Sequence, residues 1–191
     1  MRILIYSIAR CGSSTLLHWV SKELNIAPLF EPFDTVRKGD ARSFNNNYVD
    51  DFESFQKMKN FVAKMIFGAK PNDVDIVEDE FFLTFDKVIV IYRSNLKEHA
   101  ISQYVAKNVI KNYFSDYKFD DVKDYIDPIS INQIIGETWQ NTERLKSFKN
   151  CEIFTYEEIF ERKEYSRLCE YLDIEEPKYI DILNPIHRYR K

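Results

Sequence analysis

The chain has 191 residues, 45% hydrophobic and 30% charged, which predicts one globular domain, spanning residues 1–191, with a sizeable core. Its net charge of −4 gives no bulk attraction to nucleic acid. The three cysteines have no paired spacing and the three histidines are scattered, which argues against a disulfide framework or a metal cluster and favours a cytoplasmic protein. No apolar run approaches the roughly 20 residues of a membrane span.

Apolar runs alternate with helical periodicity along the chain. Predicted strands cover residues 2–8, 60–67, 86–92 and 151–155. Predicted helices cover residues 13–25, 49–59, 75–85, 96–114, 130–148, 156–160 and 164–172. Residues 27–33 contain two prolines and predict a short extended stretch, residues 34–47 a long polar loop and residues 184–191 a basic tail. Strands that alternate with helices favour an α/β fold with a parallel sheet.

A small-residue turn follows the first predicted strand. Arg10, Gly12 and three hydroxyl residues, Ser13, Ser14 and Thr15, come directly before a helical pattern. The first N–H groups of such a helix point at an anion, the helix dipole favours negative charge, and one hydroxyl can cap the helix. The segment therefore predicts a phosphate cradle; the alternative is an ordinary strand–helix turn.

A second polar feature follows the strand predicted at residues 86–92. Arg93 ends that strand, and Ser102 lies two turns into the next predicted helix. Ligands of open parallel sheets bind at the carboxyl ends of the strands, so both side chains can reach one phosphate there. The alternatives are a salt bridge from Arg93 to a helix carboxylate and a solvent-facing Ser102.

Three motifs together resemble those of the sulfotransferases, most closely the short bacterial and viral members. Residues 9–15 (ARCGSST) are similar to the family's 5′-phosphosulfate loop, and the Arg93–Ser102 pair is similar to its 3′-phosphate motif. Residues 154–159 (FTYEEI) resemble the strand and Tyr-Glu segment that follows in the same family. The order and spacing of the three motifs agree across most of the chain.

The resemblance implies a P-loop-like parallel sheet of about four to five strands flanked by helices. It implies 3′-phosphoadenosine 5′-phosphosulfate (PAPS) as donor, with 3′-phosphoadenosine 5′-phosphate (PAP) as product, and a hydroxyl or amine as acceptor, without a metal. Residues implied at the 5′-phosphosulfate are Arg10, Cys11, Gly12, Ser13, Ser14 and Thr15. Arg93 and Ser102 would hold the 3′-phosphate, and Tyr156 would lie near the adenine or ribose.

The family's catalytic base is a Glu or His just beyond the first helix, and Glu31 fits the Glu type. Its apolar, proline-bracketed surroundings can raise a carboxyl pKa toward a useful value. The alternative is a loop carboxylate that pairs with Arg37 or Arg42.

Three further side chains are polar residues near the predicted site or the predicted core. Lys64 either faces the sulfuryl group or is a surface lysine at the sheet edge. His18, on or near the inner face of the first helix, is interpreted as structural, and His99 as flanking the donor.

The chain departs from the family pattern at three positions. Ala9 replaces the usual Pro, Cys11 the usual Ser, and Ser94 a second Arg that short members often carry. These departures keep a non-catalytic PAP-binding protein as one alternative. A P-loop kinase is another, although the GxxxxGK[ST] motif is missing. No motif identifies the acceptor, which is a small molecule, a glycan or a lipid. A homodimer, in which the partner subunit completes the acceptor site, is a further possibility.

Overall fold

The computed structural model describes residues 1–33, 52–67, 78–109 and 122–176. Five parallel strands form one sheet in this part of the chain, in the order β2-β3-β1-β4-β5. The strands are β1 (Arg2–Ser7), β2 (Ala27–Phe30), β3 (Phe61–Ile66), β4 (Lys87–Tyr92) and β5 (Glu152–Thr155). The predicted α/β class with a parallel sheet is confirmed. The stretch predicted only as extended contributes β2, which lies at the edge of the sheet, where Pro28 is tolerated.

Six α-helices lie in the described residues. They are α1 (Ser13–Leu24), α2 (Phe52–Lys57), α3 (Glu78–Phe82), α4 (Leu96–Tyr104), α5 (Pro128–Ser147) and α6 (Ser166–Leu172). A π-helical turn, Val105–Val109, continues α4, and another, Glu157–Glu161, follows β5. Residues 110–114 of the predicted fourth helix, the predicted loop at 34–47 and the basic tail lie outside the described residues. Helix α5 begins two residues earlier than predicted because Asp127 accepts hydrogen bonds from the first-turn amides and Pro128 suits the first helical position.

Side chains alternate between the two faces of the sheet, and each face has its own apolar layer. Ile3 and Ile5 of β1 pack with α1 and α6 on one face, whereas Leu4 and Tyr6 pack with α2, α3 and α5 on the other. Strand β1 is buried on both sides, as expected for a central parallel strand. No helix in the described ranges is long and apolar enough to cross a membrane.

The predicted inner face of α1 is correct, but the placement of His18 is not. Leu16, Leu17, Trp19 and Val20 are buried, and the His18 side chain between them is exposed to solvent. These four apolar side chains occupy the face of α1 that packs on the sheet, and position 18 lies on the opposite, solvent-facing side of the helix. The His18 side chain therefore does not belong to the core that α1 covers.

Strand β1 lies between β3 and β4, so the loops that leave β1 and β4 meet at one edge of the sheet. The connection from β1 runs into α1 on one face, and α5, which lies between β4 and β5, packs on the other face. Such a change of face leaves a crevice at the carboxyl ends of the strands. The fold therefore gathers the segments that begin at residues 8, 31, 93 and 156.

Candidate functional site

The connection between β1 and α1 is a tight loop with two left-handed residues. Arg10 has φ 70° and Gly12 has φ 75°. A Cβ atom added at Gly12 would lie 2.4 Å from Cε2 of Phe160, in the π-helical turn after β5. Glycine is therefore required at this position both by backbone conformation and by the close approach of the aromatic ring.

The loop leads directly into α1 without a capping side chain. Gly12 is the N-cap residue, and no side chain accepts a hydrogen bond there. The expectation that one of the three hydroxyls caps the helix is wrong, because Ser13 already lies inside the helix and accepts a buried hydrogen bond of 2.8 Å from Ser7. Ser14 and Thr15 are half-buried. No side chain of the described residues caps the first turn of α1, so its amides can donate to an anion.

Arg10 and Ser102 meet although they are 92 residues apart. The Nε atom of Arg10 donates a hydrogen bond to Oγ of Ser102 at 3.2 Å. Ser102 is buried on α4, so the alternative of a solvent-facing serine is wrong. The loop after β1 and the helix after β4 are joined by this contact.

Arg93 lies at the end of β4 and stacks on an aromatic ring. Its Cζ atom is 3.9 Å from the centroid of the Tyr156 ring, a distance typical of a cation–π interaction. The Arg93 side chain is buried, and its Nε atom has no hydrogen-bond partner among the residues that the structure describes. Within the described ranges, no carboxylate forms the salt bridge with Arg93 that was the predicted alternative. A buried guanidinium with an unused donor is a favourable partner for an anion.

Glu157, which is not among the residues predicted for the site, contacts the turn after Arg93. Its carboxylate accepts hydrogen bonds from the backbone amides of Ser94 at 2.9 Å and Asn95 at 3.0 Å. Burial raises the pKa of Glu157, but these hydrogen bonds outweigh burial and hold the pKa below its ordinary value. The position of Glu157 directly after Tyr156 is the sequence signal that could have identified it. The Tyr156 ring packs against Arg93, and the Glu157 carboxylate binds the backbone of the turn that follows.

Glu31 and Lys64 form a buried ion pair. Glu31 follows β2 with φ 47°, and Lys64 lies in the interior strand β3. The Lys64 ammonium donates to Oε1 of Glu31 and lies 4.2 Å from the centroid of the Phe30 ring. Lys64 is therefore not a surface lysine at the sheet edge. The predicted alternative partners of Glu31, residues 37 and 42, lie outside the described residues.

The Cys11 side chain lies in the apolar layer that also contains Leu4 and Tyr6. The side chain is fully buried, and burial raises the pKa of its thiol to about 12, with the nearby charges of Arg93 and Lys64 opposing the shift. The thiol is thus protonated at neutral pH and is not a negatively charged ligand. No group of three or more His, Cys, Asp or Glu side chains in the described segments could hold a metal ion.

Two solved structures similar to this chain are mouse sulfotransferase SULT7A1 complexed with PAP and shikimate kinase from Bacteroides thetaiotaomicron. The sulfotransferase is 16% identical, with a TM-score of 0.52, over 97% of this chain. The chain spans only 62% of the length of that sulfotransferase. The kinase is also 16% identical, with a TM-score of 0.53, over 91% of this chain and 99% of the kinase. No protein-family model and no curated protein matches the chain.

Both similar structures have P-loop-like folds, and this chain shares that fold, with five parallel strands flanked by helices. At this level of identity, the similarity concerns the fold alone. The sulfotransferase and the kinase are equally similar to the chain, so the choice of chemistry depends on the residues at the sheet edge.

Proposed function

We propose that the chain is a PAPS-dependent sulfotransferase that transfers a sulfuryl group to a hydroxyl or amine acceptor. The observation that carries this proposal is the pair of cations at the sheet edge. Arg10 is held on Ser102, and Arg93 is held on Tyr156 with an unused buried donor. One cation in each of two loops, held by different partners, suits a nucleotide that is phosphorylated at both its 3′ and 5′ positions.

In this proposal, the uncapped first turn of α1 and the Arg10 guanidinium bind the 5′-phosphosulfate. The side chains of Ser14 and Thr15 are exposed enough to add hydroxyl donors there. Arg93 and the Ser102 hydroxyl bind the 3′-phosphate, and the adenosine lies near Tyr156. Arginine suits both positions because its planar fork can donate two parallel hydrogen bonds to one phosphate.

The proposed reaction is an in-line displacement at sulfur. The Glu31 carboxylate takes a proton from the acceptor hydroxyl, and the acceptor oxygen forms a bond to sulfur. The bond from sulfur to the phosphate oxygen breaks, and PAP leaves with the electron pair. Arg10 stabilises the negative charge that grows on the leaving phosphate, and Lys64 orients the Glu31 carboxylate.

Thermal unfolding with added nucleotides tests the donor. PAP at about 100 times its dissociation constant should stabilise the fold by about 2.7 kcal/mol, and AMP, which lacks the 3′-phosphate, should stabilise it less at equal concentration. Arg93→Met should remove the difference between PAP and AMP. Arg2→Met is the matched control, because it removes the same charge at the amino end of β1. An equal response to PAP and AMP in the wild type would contradict the two-phosphate assignment.

Sulfate transfer from labelled PAPS to a panel of phenols, sugars and lipids tests the reaction. Arg10→Ala should abolish turnover, whereas Glu31→Gln should reduce turnover and leave PAP binding intact. Normal turnover of Glu31→Gln would overturn its assignment as the base.

A small-molecule kinase is the second candidate, because the shikimate kinase fold is equally similar. Against it, the loop carries Arg10 and lacks the P-loop lysine that contacts nucleotide phosphates. Stabilisation by Mg-ATP but not by PAP would favour the kinase. Binding of PAP without transfer to any acceptor in the panel would instead favour a non-catalytic PAP-binding protein.

A further inference from the structure

His99 is a fully buried histidine on α4 that contacts the loop after β1. Its Nε2 atom lies 2.6 Å from the carbonyl oxygen of Ala9, 90 residues away in sequence. A carbonyl oxygen can only accept a hydrogen bond, so Nε2 carries the ring proton. The other ring nitrogen, Nδ1, is buried and has no partner in the described part of the chain. The contacts therefore identify the neutral ring with its proton on Nε2.

The surroundings of His99 disfavour a second ring proton. A proton on Nδ1 would be a buried donor without an acceptor. Burial, together with the charges of Arg93 and Arg10, lowers the pKa of His99 to about 4, although the hydrogen bond to Ala9 and the charge of Glu157 oppose the shift. The other neighbours of Nε2 are the Cys11 thiol at 3.9 Å and the side-chain amide nitrogen of Gln103 at 3.1 Å, and neither carries a charge at neutral pH. The Gln103 nitrogen is itself a donor, so the tautomer is decided by the shorter contact with the Ala9 carbonyl, which has no proton to donate.

The Ala9 carbonyl belongs to the peptide that leads into Arg10. Arg10 adopts a left-handed backbone, with φ 70°, which is costly for a residue with a side chain. His99 and Ser102 are three residues apart on α4 and so share one helix face. The first holds the backbone of the loop at Ala9, and the second holds the Arg10 side chain.

We propose that His99 is a positioning residue for the phosphate loop: as a neutral donor to Ala9, it keeps Arg10 oriented toward the phosphates of the donor nucleotide. The identity of that nucleotide rests on the proposed function, but the hold on the loop does not. His99 itself contacts neither the acceptor nor the reacting atoms in this proposal.

Two substitutions separate positioning from packing. His99→Gln retains an N–H donor near the position of Nε2, whereas His99→Met fills similar space without a donor. Calorimetric titration with PAP should show an affinity about tenfold lower for His99→Met, as expected for one lost hydrogen bond, and within about threefold of wild type for His99→Gln. Thr142→Val, another buried polar-to-apolar change, on α5, should leave PAP affinity unchanged. Equal affinity of the folded Met variant and the wild type, or no recovery with Gln, would overturn the proposal.

NMR spectroscopy provides a readout that does not depend on PAP. Ring nitrogen shifts of the wild type should show the Nε2–H form of His99 from about pH 5.5 to about pH 8. The Arg10 and Gly12 amide signals should move in His99→Met and stay near their wild-type positions in His99→Gln. A ring proton on Nδ1, or unmoved loop signals in the Met variant, would refute the hold on Ala9. Wild-type protein that shows these signals but fails to bind PAP would contradict the proposed function alone.

Discussion

Replacing Gly12 with alanine tests the tight approach of the phosphate loop to the π-helical turn after β5. The new Cβ would lie 2.4 Å from Cε2 of Phe160 and 2.9 Å from Cζ of the same ring. The ring is buried and packs against Tyr156 at a centroid distance of 4.9 Å. Neither the loop nor the ring can move away without disturbing the residue that supports Arg93.

Two costs add for this substitution. A left-handed backbone costs a residue with a Cβ atom about 1–2 kcal/mol, and overpacking a well-packed core costs about 1–3 kcal/mol. The lower entropy of the unfolded chain returns about 0.4–1 kcal/mol. We therefore expect a net loss of about 1–4.6 kcal/mol in the free energy of unfolding. For a chain of this size, that loss lowers the melting temperature by about 2 to 18 °C.

Urea unfolding followed by circular dichroism measures this loss. Gly136→Ala is the matched control, because Gly136 lies within α5 and no atom is within 4 Å of its added Cβ. The control should be more stable than the wild type by about 0.5–1 kcal/mol. Phe160→Leu should cost less in the Gly12→Ala background than in the wild type, because it removes part of the overlap. A Gly12→Ala variant as stable as the wild type would refute the close contact.

Three further predictions concern buried polar groups. Glu157→Gln should lower the free energy of unfolding by about 1–3 kcal/mol. Backbone hydrogen bonds, against the effect of burial, hold the pKa of the Glu157 carboxyl below its ordinary 4.5. In acid unfolding, the wild type but not the variant should therefore lose this contribution as pH falls below that value. Lys64→Met should cost about 3–5 kcal/mol in urea unfolding by removing the cation of the buried Glu31–Lys64 ion pair. Adding Glu31→Gln should recover stability, and a larger loss in the double variant would contradict the pairing. Iodoacetamide at about pH 8 should label Cys11 slowly in the native protein and quickly in urea, because burial raises the pKa of its thiol to about 12. Mass spectrometry measures the labelling, and rapid labelling of the native protein would be inconsistent with that burial.

Local sequence patterns were sufficient for most of the secondary structure. Strand β4 was predicted from its continuous apolar run, because a strand covered on both faces needs apolar side chains at every position. The placement of His18 failed because four apolar neighbours already filled the inner face of α1. The extended segment at residues 27–30 could not be assigned to the sheet, because a short strand depends on its partner, here β3, for its hydrogen bonds.

The candidate site was predictable in its residue types but not in its contacts. The sequence placed Arg93 at a strand end and Arg10 in a small-residue turn. Glu157 contacts amides that lie 62 and 63 positions earlier in the sequence. The two residues of the Glu31–Lys64 ion pair are 33 positions apart. Such contacts depend on which strands are neighbours, and no local periodicity encodes that.

The sequence by itself determined the order of strands and helices. It also placed Arg10 and three hydroxyl residues after β1, and Arg93 after β4. Only the tertiary structure decided the sheet order β2-β3-β1-β4-β5, which sets the ends of β1 and β4 side by side. That adjacency brings Ser102 to Arg10 and His99 to the Ala9 carbonyl. The physical reason is that burial drives β1 into the centre of the sheet, where both faces are covered, and its neighbours then determine which loops meet.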